Sequence, residues 1–237
     1  MNAKHNETRR DFLRLSLAAG GALLLSTSLT QAQNERNDEG HNPDIPPTED
    51  LMREHGVLRR ALLVYEEGIR RMRYGQDMPM GILADTNDLL RRFIQEYHER
   101  LEERYLFTEF DNMGEYGLLV NTLRKQHEAG RQLTGRIAQL TGAAVFKMPD
   151  NRRQLIECMR LFIFMYRPHA AREDTVLFPA VRNIFSRDSF INLGEVFEDR
   201  EKEALGENGF ENIVIRIANI EKALGLYNLT QFTPKLS

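Results

Sequence analysis

The chain has 237 residues, of which 41% are hydrophobic and 28% charged, with a formal net charge of −3 at pH 7. That balance and a mean hydropathy of −0.48 exclude a polytopic membrane protein and the basic footprint of a nucleic-acid binder. A single Cys excludes a disulfide scaffold and any Cys-rich zinc or iron–sulfur site, and the six His are few enough to be read one at a time.

Residues 1–32 read as an address. Arg9-Arg10 stand before Phe12-Leu13, a short apolar core runs from Leu15 to Leu25, and small residues ending at Ala32 offer a cleavage site. The core is too short to cross a bilayer as a helix. The order resembles a twin-arginine signal, which predicts export to the periplasm or cell envelope by a route that carries folded proteins, often after a cofactor has been inserted. Residues 33–47 are polar, end in Pro46-Pro47 and hold almost nothing to bury, which predicts a disordered linker. His5 and His41 fall in these two segments and are expected to lie outside any packed site.

From Thr48 onward the apolar period is helical and no strand-like alternation stands out. The first helix starts at Thr48 and places Leu51, His55, Leu58, Leu62, Tyr65, Ile69 and Met72 on one seam, with Gly75 and Pro79 closing it. A second is predicted over 82–110, with Leu90, Ile94, His98, Leu101 or Glu102, and Tyr105 inward. A third covers 115–141, with Val120, Leu123, His127, Thr134 and Ile137 inward. A fourth covers 150–185, with Leu155, Met159, Phe162, Tyr166, His169 and Glu173 inward. Two shorter helices follow, near 189–205 and 210–224. The expected fold is all-α: an antiparallel up-down four-helix bundle over 48–186, with two additional C-terminal helices in 187–237 packed on it.

Each long helix thus carries one His on its apolar seam. Burying four imidazoles separately would need four hydrogen-bonding solutions, whereas a shared metal satisfies them together. The carboxylates sharpen this. His98 is followed four residues later by Glu102, and His169 by Glu173, a spacing that stacks imidazole and carboxylate on one face. The segments His98–Phe107 and His169–Phe178 both read His-x3-Glu-acid-x2-Leu-Phe, so the chain looks like two helix pairs, each giving a lone His and then a His-x3-Glu. Arg59 and Arg131 stand four residues after the lone His of each pair. Mixed imidazole and carboxylate donors suit iron, manganese or zinc.

On these motifs the chain resembles the hemerythrin-like family of cation-binding four-helix bundles, from about Leu51 to Phe185, including a Leu177-Phe178-Pro179 ending. The resemblance implies two iron ions, with manganese or zinc less favoured, held by His55, His98, His127 and His169, with Glu102 and Glu173 binding or bridging them. Asp174, five residues after His169, is an alternative to Glu173, and Glu99 is a candidate additional ligand. Oxygen-carrying hemerythrins place a second His a turn along the third helix, where this chain has Arg131, so more positions are left for water or a small ligand. Tyr97, Tyr105 and Tyr166 are candidates to orient the imidazoles from behind. The function expected is a non-haem di-iron protein binding dioxygen or a similar small ligand, for storage, sensing or iron holding. The alternative is a di-iron redox enzyme acting on peroxide or nitric oxide. An electron donor is not identifiable, since the chain has no flavin or nicotinamide fingerprint.

Overall fold

The computed structural model describes residues 45–142 and 148–235. The export signal and the linker as far as residue 44 lie outside the described residues. Among the described residues every regular element is helical, in six helices and one terminal 3₁₀ turn, Leu229–Phe232. No described helix is long and apolar enough to cross a membrane.

Helix α1, Pro47–Arg73, begins with Pro at its first position, where a missing N–H costs no hydrogen bond. Glu49 and Asp50 in its first turn and Arg70, Arg71 and Arg73 in its last match the helix dipole. Helix α2 occupies 80–113 and is a composite. It is α-helical over Met80–Leu89, Glu99–Leu101 and Phe107–Met113, and wider π-helix over Leu90–His98 and Glu102–Leu106. Gly114, at φ +70°, ends it in the left-handed conformation that glycine adopts without strain. Helix α3 is Gly117–Leu140. Helix α4 occupies 149–184. It runs as α-helix over Pro149–Arg172, through Pro168, turns π over Glu173–Leu177, and resumes over Phe178–Ile184. Helices α5, Arg187–Leu205, and α6, Gly209–Leu224, complete the set, with the Ser186 hydroxyl capping α5 at the N–H of Ser189.

The predicted seams are the buried faces, except that Ile69 and Tyr105 are only partly buried. Leu51, His55, Leu58, Leu62 and Tyr65 of α1 are buried, as are Val120, Leu123, His127, Thr134 and Ile137 of α3 and Leu155, Met159, Phe162, Tyr166 and His169 of α4. Helix α4 packs on α1 and α3, and α2 packs on the same two. Along α1, Glu54 meets His98 and Tyr65 meets Asn87, so the register on α2 falls as that on α1 rises. Helix α6 lies against α1 and α2, where Arg60 pairs with Glu221, Arg216 with Asp85 and Asp88, and Phe210 packs on Phe93. Helix α5 contacts α1 and α6.

A polar ladder crosses the core beside the His layer. Tyr65 donates to Asn87, Asn87 donates to the carbonyl of Thr134, and the Thr134 hydroxyl donates to Gln95. Gly130 allows α3 and α4 to close around Tyr166. A Cβ at position 130 would sit 2.8 Å from Cζ of that buried ring, closer than packing tolerates. Gly130→Ala is therefore expected to destabilise the fold by about 1–3 kcal/mol through overpacking. Denaturant melting checks this, and an unchanged midpoint would mean that the ring is not fixed by packing.

Candidate metal centre

The four seam histidines meet at one level of the core. His55 Nε2 and His98 Nε2 lie 3.1 Å apart, and His127 Nε2 and His169 Nε2 lie 3.2 Å apart. Glu102 sits between the two pairs, with Oε1 3.5 Å from His98 Nε2 and Oε2 3.5 Å from His127 Nε2. Glu173 mirrors it, with Oε2 3.0 Å from His169 Nε2 and 3.4 Å from His55 Nε2. His55, His98 and Glu102 form one group of donor atoms, and His127, His169 and Glu173 form a second. All six residues are at most 3% exposed.

Local helix geometry delivers the carboxylates. Each His-x3-Glu lays its Glu one turn beyond the His, and a π-turn opens at that same Glu in both copies: the N–H of Phe107 bonds the carbonyl of Glu102, and the N–H of Phe178 bonds that of Glu173. Phe107 and Phe178, which close these turns, stack on His127 and His55 at centroid distances of 5.5 Å and cover the centre with apolar rings.

Behind the inner layer, every Nδ1 has a partner from a neighbouring helix. His98 Nδ1 lies 2.6 Å from Glu54 of α1, His55 Nδ1 2.7 Å from Asp174 of α4, His127 Nδ1 3.0 Å from Glu103 of α2, and His169 Nδ1 2.9 Å from Gln126 of α3. Acceptors at Nδ1 fix the proton there and turn the Nε2 lone pair inward. Arg59 then pairs with Asp174, and Arg131 with Glu103 and Glu99. The structure thus gives Asp174 a place behind His55 rather than among the inner donors. Glu99 accepts from the Tyr166 hydroxyl at 2.6 Å and from Arg131 at 2.9 Å, so its charge is already answered. Although Glu99, Glu103 and His127 bring donor atoms together, the Arg131 guanidinium occupies both carboxylates, which makes that group an ion-paired cluster and not a second cation site. Of the tyrosines, Tyr166 donates to Glu99 and its ring packs tilted on His169 at 5.3 Å between centroids, Tyr105 accepts from Arg200, and Tyr97 stacks on Phe93. Glu54, Gln126 and Glu103 are the outer partners that the sequence reading does not assign.

The electrostatics favour positive charge at the centre. Burial works against a charged His98, but Glu102 and Glu54 outweigh it and hold its pKa well above the usual imidazole value. His55 and His127 are raised against burial in the same way, by Asp174 and Glu173 and by Glu103 respectively. Burial would push Glu173 up, yet His169 and His55 hold it below the usual carboxylate range. Glu103 is brought down to about 2, its burial outweighed by His127 and Arg131.

The donor set fits metal ions. All four carboxylate oxygens of Glu102 and Glu173 are buried and accept no hydrogen bond. Orphaned charged oxygens are expensive to bury, and a coordinated cation is the partner that such a pair requires. Donor separations of 3.0–3.5 Å between nitrogen and oxygen, and of 3.1–3.2 Å between nitrogens, match the edges of a coordination sphere with bonds of about 2.1 Å. At such distances two facing Nε2 atoms need either a shared proton or a metal ion between them.

A cleft of about 290 Å³ lies between α1 and α4, lined by Leu58, Leu62, Leu63, Tyr166 and Ala170 with Arg59 and Arg167. Cys158, on α4, is half-buried against the hydrophobic core, and burial raises its thiol pKa, in keeping with a packing residue.

Residues 47–181 match the family described as the hemerythrin HHE cation-binding domain. Among curated proteins, uncharacterized proteins of Mycobacterium tuberculosis (strain ATCC 25618 / H37Rv) and Mycobacterium bovis are each 44% identical over 232 residues, 95% of this chain and 91% of the relative. No solved structure matches the chain.

Proposed function

The chain belongs to the hemerythrin HHE cation-binding family, and from that premise we propose that it is a non-haem di-iron protein that binds dioxygen or a similar small ligand, in storage, sensing or iron holding. The observation that carries the reading is the set of four orphaned carboxylate oxygens of Glu102 and Glu173 lying against four inward Nε2 atoms. In this reading His55, His98 and Glu102 hold one ion, His127, His169 and Glu173 hold the other, and each Glu also reaches across to the opposite pair. The falling register of α2 along α1 supports the antiparallel up-down arrangement of the four long helices.

When bound, a pair of irons would supply a Lewis-acidic, redox-active centre for a small ligand. The protein's own part is positional. Glu54, Asp174, Glu103 and Gln126 hold the imidazole rings by Nδ1. Phe107 and Phe178 exclude water from His127 and His55. The mostly apolar cleft over Leu58, Leu62 and Tyr166 suits a small, uncharged ligand better than an ionic substrate. The paired Arg9 and Arg10 extend the proposal to export through the twin-arginine route, with metal inserted before export.

Metal analysis of protein purified from its natural compartment, with absorption spectra before and after exposure to oxygen, tests this. The expected result is about two irons per chain and an oxygen-dependent spectrum that reverses on deoxygenation. Absence of iron would overturn the reading, and rapid peroxide consumption with iron cycling would move it to the enzyme class.

A further inference from the structure

The inner layer of the centre is duplicated, but the outer layer is not. Glu54 and Gln126 occupy equivalent places, each immediately before the lone His of its helix pair. Each reaches the His of the next helix, Glu54 to His98 Nδ1 at 2.6 Å and Gln126 to His169 Nδ1 at 2.9 Å. One acceptor is a carboxylate and the other a neutral amide oxygen. The remaining two imidazoles are matched, since His55 meets Asp174 and His127 meets Glu103, and each of these acids is answered by an arginine in turn, Arg59 or Arg131.

A carboxylate at Nδ1 makes an imidazole a stronger donor through Nε2, because the charge-assisted hydrogen bond shifts electron density into the ring. A neutral amide does this far less. The group of His55, His98 and Glu102 therefore has an acid behind both rings, whereas the group of His127, His169 and Glu173 has an acid behind one.

We propose that the two cation positions are unequal, the one at His55, His98 and Glu102 binding more tightly than the one at His127, His169 and Glu173, and that Gln126 is the positioning residue that sets the difference. The inference rests on the reading of this site as a two-metal centre. It goes further in assigning an order of filling that the matching inner ligands would not produce by themselves. The weaker position, emptied first, is also where exchange of metal or access of an outside ligand is easiest.

Titration of the full, metal-free chain with zinc or cobalt(II), followed by calorimetry and by the cobalt absorption bands, tests the order. Two binding steps separated by about 10–100-fold are expected, the range over which such outer partners act. Gln126→Glu should tighten the weaker step and draw the two together. Glu54→Gln should weaken the tighter one. A gain in affinity in the first variant is a result that simple loss of packing does not give, and circular dichroism checks that both variants fold. His55→Ala should abolish the tighter step and His169→Ala the weaker, which assigns each step to its group. Two equal steps in the unaltered protein, or a weaker step that Gln126→Glu leaves unchanged or loosens, would overturn the inequality. No binding of either metal would overturn the two-metal reading itself, and the inequality with it.

Discussion

Substituting His98 with Ala is expected to remove metal from the His55, His98 and Glu102 group and to lower the thermal midpoint of the loaded protein by roughly 10 °C. The imidazole joins two buried carboxylates, Glu54 through Nδ1 and Glu102 through Nε2, and those residues are 1% and 0% exposed. Without the ring, Glu54 loses a 2.6 Å partner inside the core. Leaving one buried charge uncompensated costs about 3–5 kcal/mol. The loss of a bound cation adds to this, because whatever binds only the folded chain stabilises it. His169→Ala is the matched comparison: it strands Glu173, but its outer partner is the neutral Gln126, so its penalty should be smaller. Metal content by elemental analysis and melting with and without added metal check both. Full metal content and an unshifted midpoint in His98→Ala would mean that the ring is ordinary core packing.

Much of the site could be read from the chain because its inner donors obey a helix rule. His98 with Glu102 and His169 with Glu173 are four apart, and four residues make about one turn, so each pair had to share a face. The seams were legible for the same reason: His55 belongs to the stripe of Leu51, Leu58 and Leu62, and the fold buries that stripe. The outer layer obeys no such rule. Glu54 adjoins His55 in the chain yet serves His98 on the next helix, Glu103 follows Glu102 yet serves His127, and Asp174 closes the circuit back to His55. A residue beside a ligand in sequence lies about 100° around the helix from it, facing the neighbouring rod. Which rod that is depends on how the helices are arranged, and a single helix cannot say. This is also why Asp174 looked like an alternative ligand: its spacing from His169 allows one, while its position places it behind His55. The π-turns at Glu102 and Glu173 were hidden for another reason. No residue type codes for a five-residue closure, and only the duplicated Glu-acid-x2-Leu-Phe string, read afterwards, marks where both occur.

Glu173→Gln separates a bridging carboxylate from an ordinary ligand. The Oε2 atom of Glu173 stands 3.0 Å from His169 Nε2 and 3.4 Å from His55 Nε2, which belong to different donor groups. A ligand confined to one ion would, when neutralised, weaken one binding step. A carboxylate shared by both ions must weaken two, since it supplies an oxygen and part of a negative charge to each. Glutamine keeps the size of the side chain but removes the charge and replaces one oxygen with an amide nitrogen that has no lone pair to offer. Both steps of a zinc or manganese titration should therefore loosen, each by more than the roughly 10–100-fold that outer partners command. Glu102, with one oxygen toward His98 and the other toward His127, should behave alike. Glu67→Gln, half-buried near the far end of α1 and paired with Arg70 and Arg71, supplies a control with the same change of charge and no expected effect on either step. The outcome that would defeat the shared-carboxylate geometry is a single weakened step with the other untouched, because a group that serves only one ion has no means of holding two together.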